Sequence, residues 1–216
     1  MKSNKTYAVF GLGRYGLAVA KELVENGKEV IAVDNCQSIV NDAAAYLPVC
    51  KCADITDAEV ISRLGIGNID TVVVCMASNL EASVMAITLC KEAGVKTVIA
   101  KCANEMQEKI MQRVGADQVV FPEKESGARL AKNLLSSGFV DMISLSNDVS
   151  MVEIDVRNEW IGKNLIELNL RKKYGFNVVA LKKNGKANVN INPEQIMDGD
   201  TTLIVVTNTA NLKKLK

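Results

Sequence analysis

Histidine is absent from this chain of 216 residues. Without an imidazole the chain cannot build a Ser-His-Asp or Cys-His catalytic group, because the imidazole takes the proton from the nucleophile in both. Histidine-based metal sites are excluded as well. Carboxylates and lysines remain for acid–base chemistry, but none of them stands in a pattern typical of it. The sequence therefore favours binding over catalysis, and we expect a protein that is not an enzyme.

A basic surface and a long apolar run are also missing. The net charge is +1 with no extended run of lysines and arginines, so we expect no nucleic acid partner. No apolar stretch approaches the roughly 20 residues of a membrane-spanning helix. The first ten residues, MKSNKTYAVF, contain no signal-peptide core. We therefore expect a cytoplasmic location.

The six cysteines do not follow a metal-binding pattern. Only Cys50 and Cys52 are close in sequence, and residues two apart in a strand share one face. No second pair completes a zinc site. The others, Cys36, Cys75, Cys90 and Cys102, lie mostly in apolar segments. We expect reduced, buried thiols that pack as small apolar side chains.

The stretch Tyr7–Gly16, YAVFGLGRYG, is the most informative part of the chain. A short apolar strand leads into a loop with the spacing G-x-G-x-x-G, and a helical pattern follows at once. A second apolar segment, Val30–Val33, then ends in Asp34. Strand, glycine loop, helix, strand and terminal acid together form the βαβ fingerprint of nucleotide-binding domains.

Each residue of the fingerprint has a physical role. Gly11 allows a tight turn out of the strand, Gly13 lets a phosphate approach the backbone, and Gly16 lets the helix pack on the sheet. The helix N-terminus offers unpaired N–H groups to an anion. Asp34 can accept hydrogen bonds from ribose hydroxyls.

The remaining pattern predicts the fold class. Strand and helix alternate through the first two-thirds of the chain, which is typical of a parallel sheet. We predict an α/β fold: a Rossmann-type, doubly wound parallel sheet over residues 1–137, closed by a crossover helix at about 123–137. A small α+β domain follows over 138–216, with strands at 150–156, 177–183 and 202–207 and one helix at about 164–174.

Ligands of open parallel sheets lie outside the carboxyl ends of the strands. The candidate nucleotide-binding residues are therefore Gly11, Leu12, Gly13, Arg14, Tyr15, Gly16, Asp34, Asn35, Asp54, Ile55, Ala77, Ser78, Asn79, Lys101 and Glu123.

Several of these candidates have an ordinary structural alternative. Ser78 and Asn79 are typical helix caps, and Asp54 is typical of a turn. Lys101 suits a solvated strand end, and Glu123 suits the first turn of its own helix. These alternatives stay open at the level of the sequence.

Arg14 is unusual among glycine fingerprints, because many dehydrogenases have a small or apolar residue there. A guanidinium next to the second glycine adds a full positive charge beside the phosphates and can bind oxygens bidentately. Arg14 therefore favours a ligand rich in phosphate charge, or a phosphate presented by a neighbouring subunit. A solvent-facing arginine is the alternative.

Several motifs together resemble a known family. They are FGLGRYG, AVD (32–34), CADIT (52–56), ASNLEAS (77–83), VGAD (114–117), PEKESG (122–127), NLRKKYG (169–175) and GDTTLIV (199–205). The chain resembles the RCK family of potassium-transport regulators, and the KtrA-like Ktr/Trk-type regulatory subunits in particular. The likeness covers nearly the whole chain.

The resemblance implies more than the residues do. It implies a cytosolic, peripheral regulatory subunit on the inner face of the membrane, whose homodimers assemble into an octameric ring under a potassium-translocating membrane subunit. ATP or ADP would switch the ring conformation, with NAD or NADH as the alternative ligand of Trk-type members.

The resemblance also assigns residues. Arg14 would reach the phosphates and Asp34 the ribose, and Glu123 would help to hold Mg²⁺ or another cation at the interface. Arg171, Asn177 and Pro193 fall in the region where some members bind cyclic di-AMP. Two other functions remain open: an NAD(P)-dependent oxidoreductase, and a nucleotide-binding adaptor for another membrane partner.

Overall fold

The structure, a computed structural model, describes residues 5–135, 139–146 and 148–215. It divides into two compact units, Met1–Glu123 and Lys124–Lys216. The domain boundary that the sequence predicts, at 137/138, lies outside the described residues. None of the helices in the described ranges is long and apolar enough to cross a membrane.

The first unit contains a parallel sheet of six strands. They are β1 (Thr6–Phe10), β2 (Glu29–Asp34), β3 (Cys50–Cys52), β4 (Thr71–Val74), β5 (Thr97–Lys101) and β6 (Gln118–Val120). Their order is β3-β2-β1-β4-β5-β6, and every neighbouring pair is parallel. In this doubly wound order the chain runs outward from β1 to β3 and then returns to place β4 on the other side of β1. The order confirms the predicted Rossmann-type fold.

Helices connect the strands: α1 (Arg14–Glu25), α2 (Gln37–Ala43), α3 (Ala58–Arg63), α4 (Leu80–Glu92) and α5 (Glu105–Arg113), with a 3₁₀ turn at Ile66–Asn68. A further helix, α6 (Pro122–Leu135), begins after β6, and from Lys124 onward it belongs to the second unit. Its predicted end at 137 lies outside the described residues.

Two apolar clusters lie on the two faces of this sheet. Phe10, Val72 and Val74 belong to one cluster, and Val9 and Val73 belong to the other. Successive residues of a strand point to opposite faces, so a strand covered on both sides is apolar throughout. This explains why β4 reads TVVV and is buried along its whole length.

The second unit contains an antiparallel sheet of five strands: β7 (Phe139–Ser144), β8 (Val149–Asp155), β9 (Asn177–Lys183), β10 (Lys186–Asn188) and β11 (Thr201–Asn208). Their order is β10-β9-β11-β8-β7. Two short helices, α7 (Leu165–Leu168) and α8 (Leu170–Tyr174), and 3₁₀ turns at Asn158–Trp160 and Thr209–Leu215 complete it. The predicted α+β architecture is confirmed.

The single helix predicted at about 164–174 is wrong. Asn169 has a φ of 45° and separates α7 from α8. A left-handed residue cannot continue an α-helix, and asparagine is one of the few residues that adopt this conformation readily. The amphipathic pattern therefore predicted the buried face but missed the break.

Candidate nucleotide-binding site

A cleft of about 330 Å³ opens where β1 to β4 end. Its walls come from four separate strand-to-helix connections. The lining residues are Gly11, Gly13, Val33, Asp34, Asn35, Ile39, Ala53, Asp54, Ile55, Thr56, Cys75, Met76, Ser78, Asn79 and Ala82. The cleft lies at the switch point of the sheet, where open α/β folds bind their ligands.

The structure brings eight of the predicted residues together around this cleft: Gly11, Gly13, Asp34, Asn35, Asp54, Ile55, Ser78 and Asn79. The other predicted residues, Leu12, Arg14, Tyr15, Gly16, Ala77, Lys101 and Glu123, do not line it. Leu12 and Gly16 are buried behind the glycine loop, and Arg14 is exposed beside it.

The glycine loop follows the geometry that its sequence predicts. Gly11 has a φ of 85°, which strongly favours glycine. A Cβ on Gly16 would lie 1.9 Å from the carbonyl oxygen of Gly11, so only glycine lets α1 approach the loop this closely.

Gly13 is different from these two glycines. It is the N-cap of α1, with a φ of −61° that any residue can adopt. A Cβ at Gly13 would contact no atom within 4 Å. Nothing in the folded chain therefore requires glycine here, whereas a phosphate approaching the loop does require it.

Asp34 ties the end of β2 to the glycine loop. One carboxylate oxygen accepts a hydrogen bond from the backbone N–H of Leu12 at 2.7 Å. The other accepts from the N–H of Cys36 at 2.9 Å. A carboxylate oxygen can accept a second hydrogen bond, and Asp34 lines the cleft. The carboxylate can thus bind ribose hydroxyls without releasing the loop.

The N-terminus of α1 carries no side-chain cap, and no acidic residue lies in its first turn. Its free N–H groups and its partial positive charge suit an anion. Arg14 adds an exposed guanidinium at the first position of the helix. Among the described residues no ion pair of Arg14 is present, so its charge remains available to a ligand.

Asp54 and Asn79 have the structural roles that the sequence offered as alternatives to ligand binding. Asp54 accepts hydrogen bonds from the N–H and the hydroxyl of Thr56, at 3.0 and 2.7 Å, and these bonds lower the pKa of its carboxyl. Asn79 is the N-cap of α4 and accepts from the N–H of Ala82. Ser78 lines the cleft but is not the cap. Asp54 and Asn79 still line the cleft.

Lys101 and Glu123 form an ion pair with 2.6 Å between Nζ and Oε1. The hydrogen bond from Lys101 lowers the pKa of the Glu123 carboxyl. The Lys101 ammonium also lies 5.7 Å from the centre of the Tyr15 ring. The Lys101 side chain is 15% exposed and that of Glu123 is 62% exposed. The pair leaves Glu123 accessible to solvent.

A metal site is not preformed in the described part of the chain. No group of three or more Cys, Asp or Glu residues there could hold an ion. Glu123, the predicted metal ligand, is paired with Lys101 instead. A cation at Glu123 would need further ligands from the nucleotide or from a second subunit.

Half of the cleft is apolar, and none of the residues of this half is among the predicted site residues. Val33, Ile39, Ala53, Cys75, Met76 and Ala82 form this half. Burial raises the pKa of the Cys75 thiol to about 12, so this wall is uncharged. Val33, Ala53 and Ala82 lie inside the motifs AVD, CADIT and ASNLEAS, whereas Ile39, Cys75 and Met76 reach the cleft through the tertiary fold. An apolar wall of this kind suits a nucleotide base.

In the second unit, a shallow depression of about 290 Å³ lies beside α7, α8 and β9. Arg171 and Asn177 both line it, and both are exposed. Pro193 does not line the depression. Its carbonyl oxygen accepts a hydrogen bond from the N–H of Leu165, and Leu165 is one of the lining residues. The fold therefore places the three predicted residues in one neighbourhood.

Comparison with known proteins assigns both units. Residues 7–122 match the TrkA-N domain, and residues 149–216 match the TrkA-C domain. Ktr system potassium uptake protein C of Bacillus subtilis (strain 168) is 34% identical over 212 residues, which are 98% of this chain and 96% of that protein. Ktr system potassium uptake protein A of the same organism is 33% identical over 213 residues, 99% of this chain and 96% of that protein.

Solved structures support the fold. The GsuK channel superimposes with a TM-score of 0.71 at 15% identity, over 99% of this chain and 39% of the channel chain. The GsuK channel bound to NAD superimposes with a TM-score of 0.65 at 14% identity, over 98% of this chain and 38% of the channel chain. The TrkA-N domain of the inner membrane protein ybaL from Escherichia coli gives 0.55 at 14% identity, over 62% and 99%. The chain thus spans about two fifths of the channel chains, and at this identity the likeness concerns the fold.

Proposed function

We propose that this chain, which belongs to the family of Ktr-type potassium uptake proteins with TrkA-N and TrkA-C domains, is a nucleotide-sensing regulatory subunit of a potassium uptake system. The observation that carries the proposal is the cleft at the switch point, with Asp34 and the uncapped α1 at one end. Its partner would be an integral-membrane, potassium-translocating subunit, as the names of its relatives suggest.

The ligand that best fits this cleft is ATP or ADP. Ribose hydroxyls would bind the free lone pairs of Asp34, and the base would lie on the apolar wall around Ile39 and Met76. The phosphates would approach Gly13 and the N–H groups of α1. Arg14 adds a positive charge at the position that the β- and γ-phosphates would reach. NAD or NADH would satisfy Asp34 equally well but gives Arg14 less charge to bind.

Sensing requires that the nucleotide distinguish two conformations of the assembly. A ligand shifts such an equilibrium only by the difference between its affinities for the two states. We infer that Arg14 supplies this difference, by contacting the γ-phosphate of a nucleotide held in an adjacent protomer of a homodimer that assembles into a ring. Its exposure and its lack of a partner in the described part of the chain support this role.

Two further ligands belong to the proposal. Glu123 would take part in holding Mg²⁺ at the nucleotide interface, once a cation displaces the Lys101 ammonium. Arg171, Asn177 and Pro193 would contribute to a cyclic di-AMP site in the second unit, where arginine and asparagine can bind a phosphate and a base edge.

Potassium flux tests the proposal. The membrane subunit of the same uptake system is reconstituted in vesicles with this chain, and ⁸⁶Rb⁺ uptake is measured with ATP, with ADP and without nucleotide. We expect uptake to differ between ATP and ADP and the difference to vanish in Gly13→Ala. Equal uptake in all three conditions would overturn the proposal, and a substrate-dependent absorbance change at 340 nm with NAD(P)H would favour an oxidoreductase.

A further inference from the structure

Two thiols are exposed at the rim of the cleft, contrary to the expectation that the cysteines are buried. Cys90 and Cys102 are buried as expected, and Cys50 and Cys75 are partly buried. Cys36 and Cys52 are exposed. Cys36 follows the cleft residues Asp34 and Asn35 directly, and Cys52 immediately precedes the cleft residue Ala53.

The fold places the Cys52 thiol against the backbone that leads into Cys36. Cys52 lies opposite Asp34 in the parallel pairing of β2 and β3. The Cys52 sulfur lies 3.6 Å from the carbonyl oxygen of Asn35. That oxygen belongs to the peptide group that also contains the Cys36 nitrogen. The Cys52 sulfur therefore packs against the backbone of Cys36, although 16 positions separate the two residues in the chain.

Cys36 is in a setting that activates a thiol. Its sulfur lies 3.2 Å from the hydroxyl oxygen of Ser38. The hydrogen bond from the Ser38 side chain, together with the backbone N–H groups of Ile39 and Ser38, lowers the pKa of the Cys36 thiol, although burial and the nearby Asp34 charge raise it. The thiolate is the nucleophilic form of cysteine, so these contacts favour reaction at Cys36.

We propose that Cys36 and Cys52 form a peroxide-responsive thiol pair that closes into a disulfide at the rim of the cleft. The Cys36 thiolate attacks one oxygen of hydrogen peroxide; the O–O bond breaks, a sulfenic acid forms and the departing hydroxide takes a proton to become water. The Cys52 thiol then attacks the Cys36 sulfur, forming the S–S bond and releasing a second water. The two thiols together lose two electrons, and one peroxide gains them.

The disulfide would act on the nucleotide through the loop that it anchors. Cys36 donates its N–H to Asp34, and Asn35 lines the cleft. A bond to Cys52 would fix the Asn35–Cys36 backbone to β3, because disulfide geometry is narrow. We therefore expect oxidation to weaken nucleotide binding. This consequence rests on the proposed function, whereas formation of the bond does not.

Peptide mapping of the full-length protein tests the bond itself. The reduced protein is treated with a small excess of hydrogen peroxide, alkylated, digested and analysed by mass spectrometry. We expect a peptide pair linked through Cys36 and Cys52 that disappears after treatment with dithiothreitol. Absence of the linked pair, with Cys36 unmodified or oxidised only to sulfinic acid, would overturn the proposal.

Cys50 supplies a matched control. It lies two residues from Cys52, but its sulfur contacts the carbonyl of Leu47, and burial raises the pKa of its thiol. Cys50→Ser should keep the link, while Cys36→Ser and Cys52→Ser should each abolish it. A link that is lost in Cys50→Ser and kept in Cys52→Ser would contradict the assignment.

Nucleotide titration separates the two parts of the proposal. Oxidation should lower ATP affinity about tenfold in the wild-type chain and leave Cys52→Ser unchanged. A linked peptide with unaltered affinity would overturn the coupling to the cleft. A reduced protein that binds no nucleotide would overturn the proposed function, and the peptide map would still decide whether the disulfide forms.

Discussion

Asp34 accepts a 2.7 Å hydrogen bond from the backbone N–H of Leu12, so the acid at the end of β2 holds the glycine loop in place. Leu12 is only 3% exposed, and its N–H would otherwise lack a partner. The residue proposed to bind the ribose therefore also determines the shape of the loop proposed to bind the phosphates. Binding and stability are coupled at this position.

Substitution of Asp34 tests this coupling. Asp34→Ala leaves the Leu12 and Cys36 N–H groups without their acceptor, which should cost about 1–3 kcal/mol of unfolding free energy. Asp34→Asn keeps one acceptor oxygen and should retain most of the stability, but it loses the charge that strengthens hydrogen bonds to ribose hydroxyls. Urea unfolding and calorimetric titration with ATP measure the two effects. Full ATP affinity in the alanine variant would contradict the assignment of Asp34.

Gly13 and Gly16 form a second matched test, because the same substitution should act on different properties. Gly16→Ala places a Cβ 1.9 Å from the Gly11 carbonyl oxygen and should lower the unfolding free energy by at least about 2 kcal/mol. Gly13→Ala meets no atom and should change it by less than about 1 kcal/mol.

In Gly13→Ala we expect ATP binding to change although stability does not. Its added methyl group occupies the space through which a phosphate approaches, so Gly13→Ala should remove ATP binding from a stable protein. Calorimetric titration of the folded variant decides this. ATP affinity equal to that of the wild type would show that the phosphates do not approach Gly13.

Glu123 offers a test of the proposed cation. Because its side chain is 62% exposed, Glu123→Gln should change stability by less than about 1 kcal/mol. If Glu123 helps to hold Mg²⁺, the substitution should remove the dependence of ATP affinity on Mg²⁺. Titrations with and without Mg²⁺ measure this dependence. A dependence that persists in the variant would exclude Glu123 as a ligand.

Asp70 should contribute to acid sensitivity. The Lys96 ammonium, 2.9 Å away, and the N–H of Thr6, 3.1 Å away, lower the pKa of the Asp70 carboxyl below its ordinary value. Because the pKa of this carboxyl is lower in the folded state, its ionised form stabilises the protein, and the full effect is present at pH values above the unfolded-state pKa of about 3.9. That stabilisation is lost as the pH falls through the folded pKa.

Asp70→Asn should therefore lower the melting temperature at pH 7 and flatten its decline between about pH 5 and pH 2. Glu59→Gln is the control, because the Glu59 carboxylate is 84% exposed in a surface ion pair with Arg63. Its melting profile should follow the wild type. An unchanged acid profile in the Asp70 variant would contradict the role of these hydrogen bonds.

The sequence predicted the conformation of the glycine loop well, because Gly11 and Gly16 lie in one short motif. Gly11 and Gly16 each have a local backbone requirement, and Asp34 follows them at the end of the second strand, which gives the motif its recognisable spacing. Ile39 and Met76 of the apolar wall could not be predicted in the same way, because they come together only after the sheet has formed. Apolar residues at these positions look like ordinary core residues.

A sequence pattern also does not show which of several possible partners a polar side chain contacts. Nothing in the chain indicated that Lys101 pairs with Glu123. For Asp54 the sequence left a ligand role and a turn role open, and the structure shows the hydrogen bonds from Thr56. A polar residue at a strand end can face a ligand, a neighbour or solvent, and only the tertiary structure distinguishes these cases. The break at Asn169 was missed for a related reason, because asparagine is compatible with helical and left-handed backbone alike.

Calorimetric titration of the wild-type chain and Arg14→Ala with ATP, ADP, NAD and NADH shows whether the cleft prefers ATP and ADP and whether Arg14 distinguishes them. We predict that ATP and ADP bind more tightly than NAD and NADH, and that Arg14→Ala weakens the binding of ATP more than that of ADP. A preference for NAD or NADH, or an unchanged ratio of ATP to ADP affinity in Arg14→Ala, would contradict this prediction.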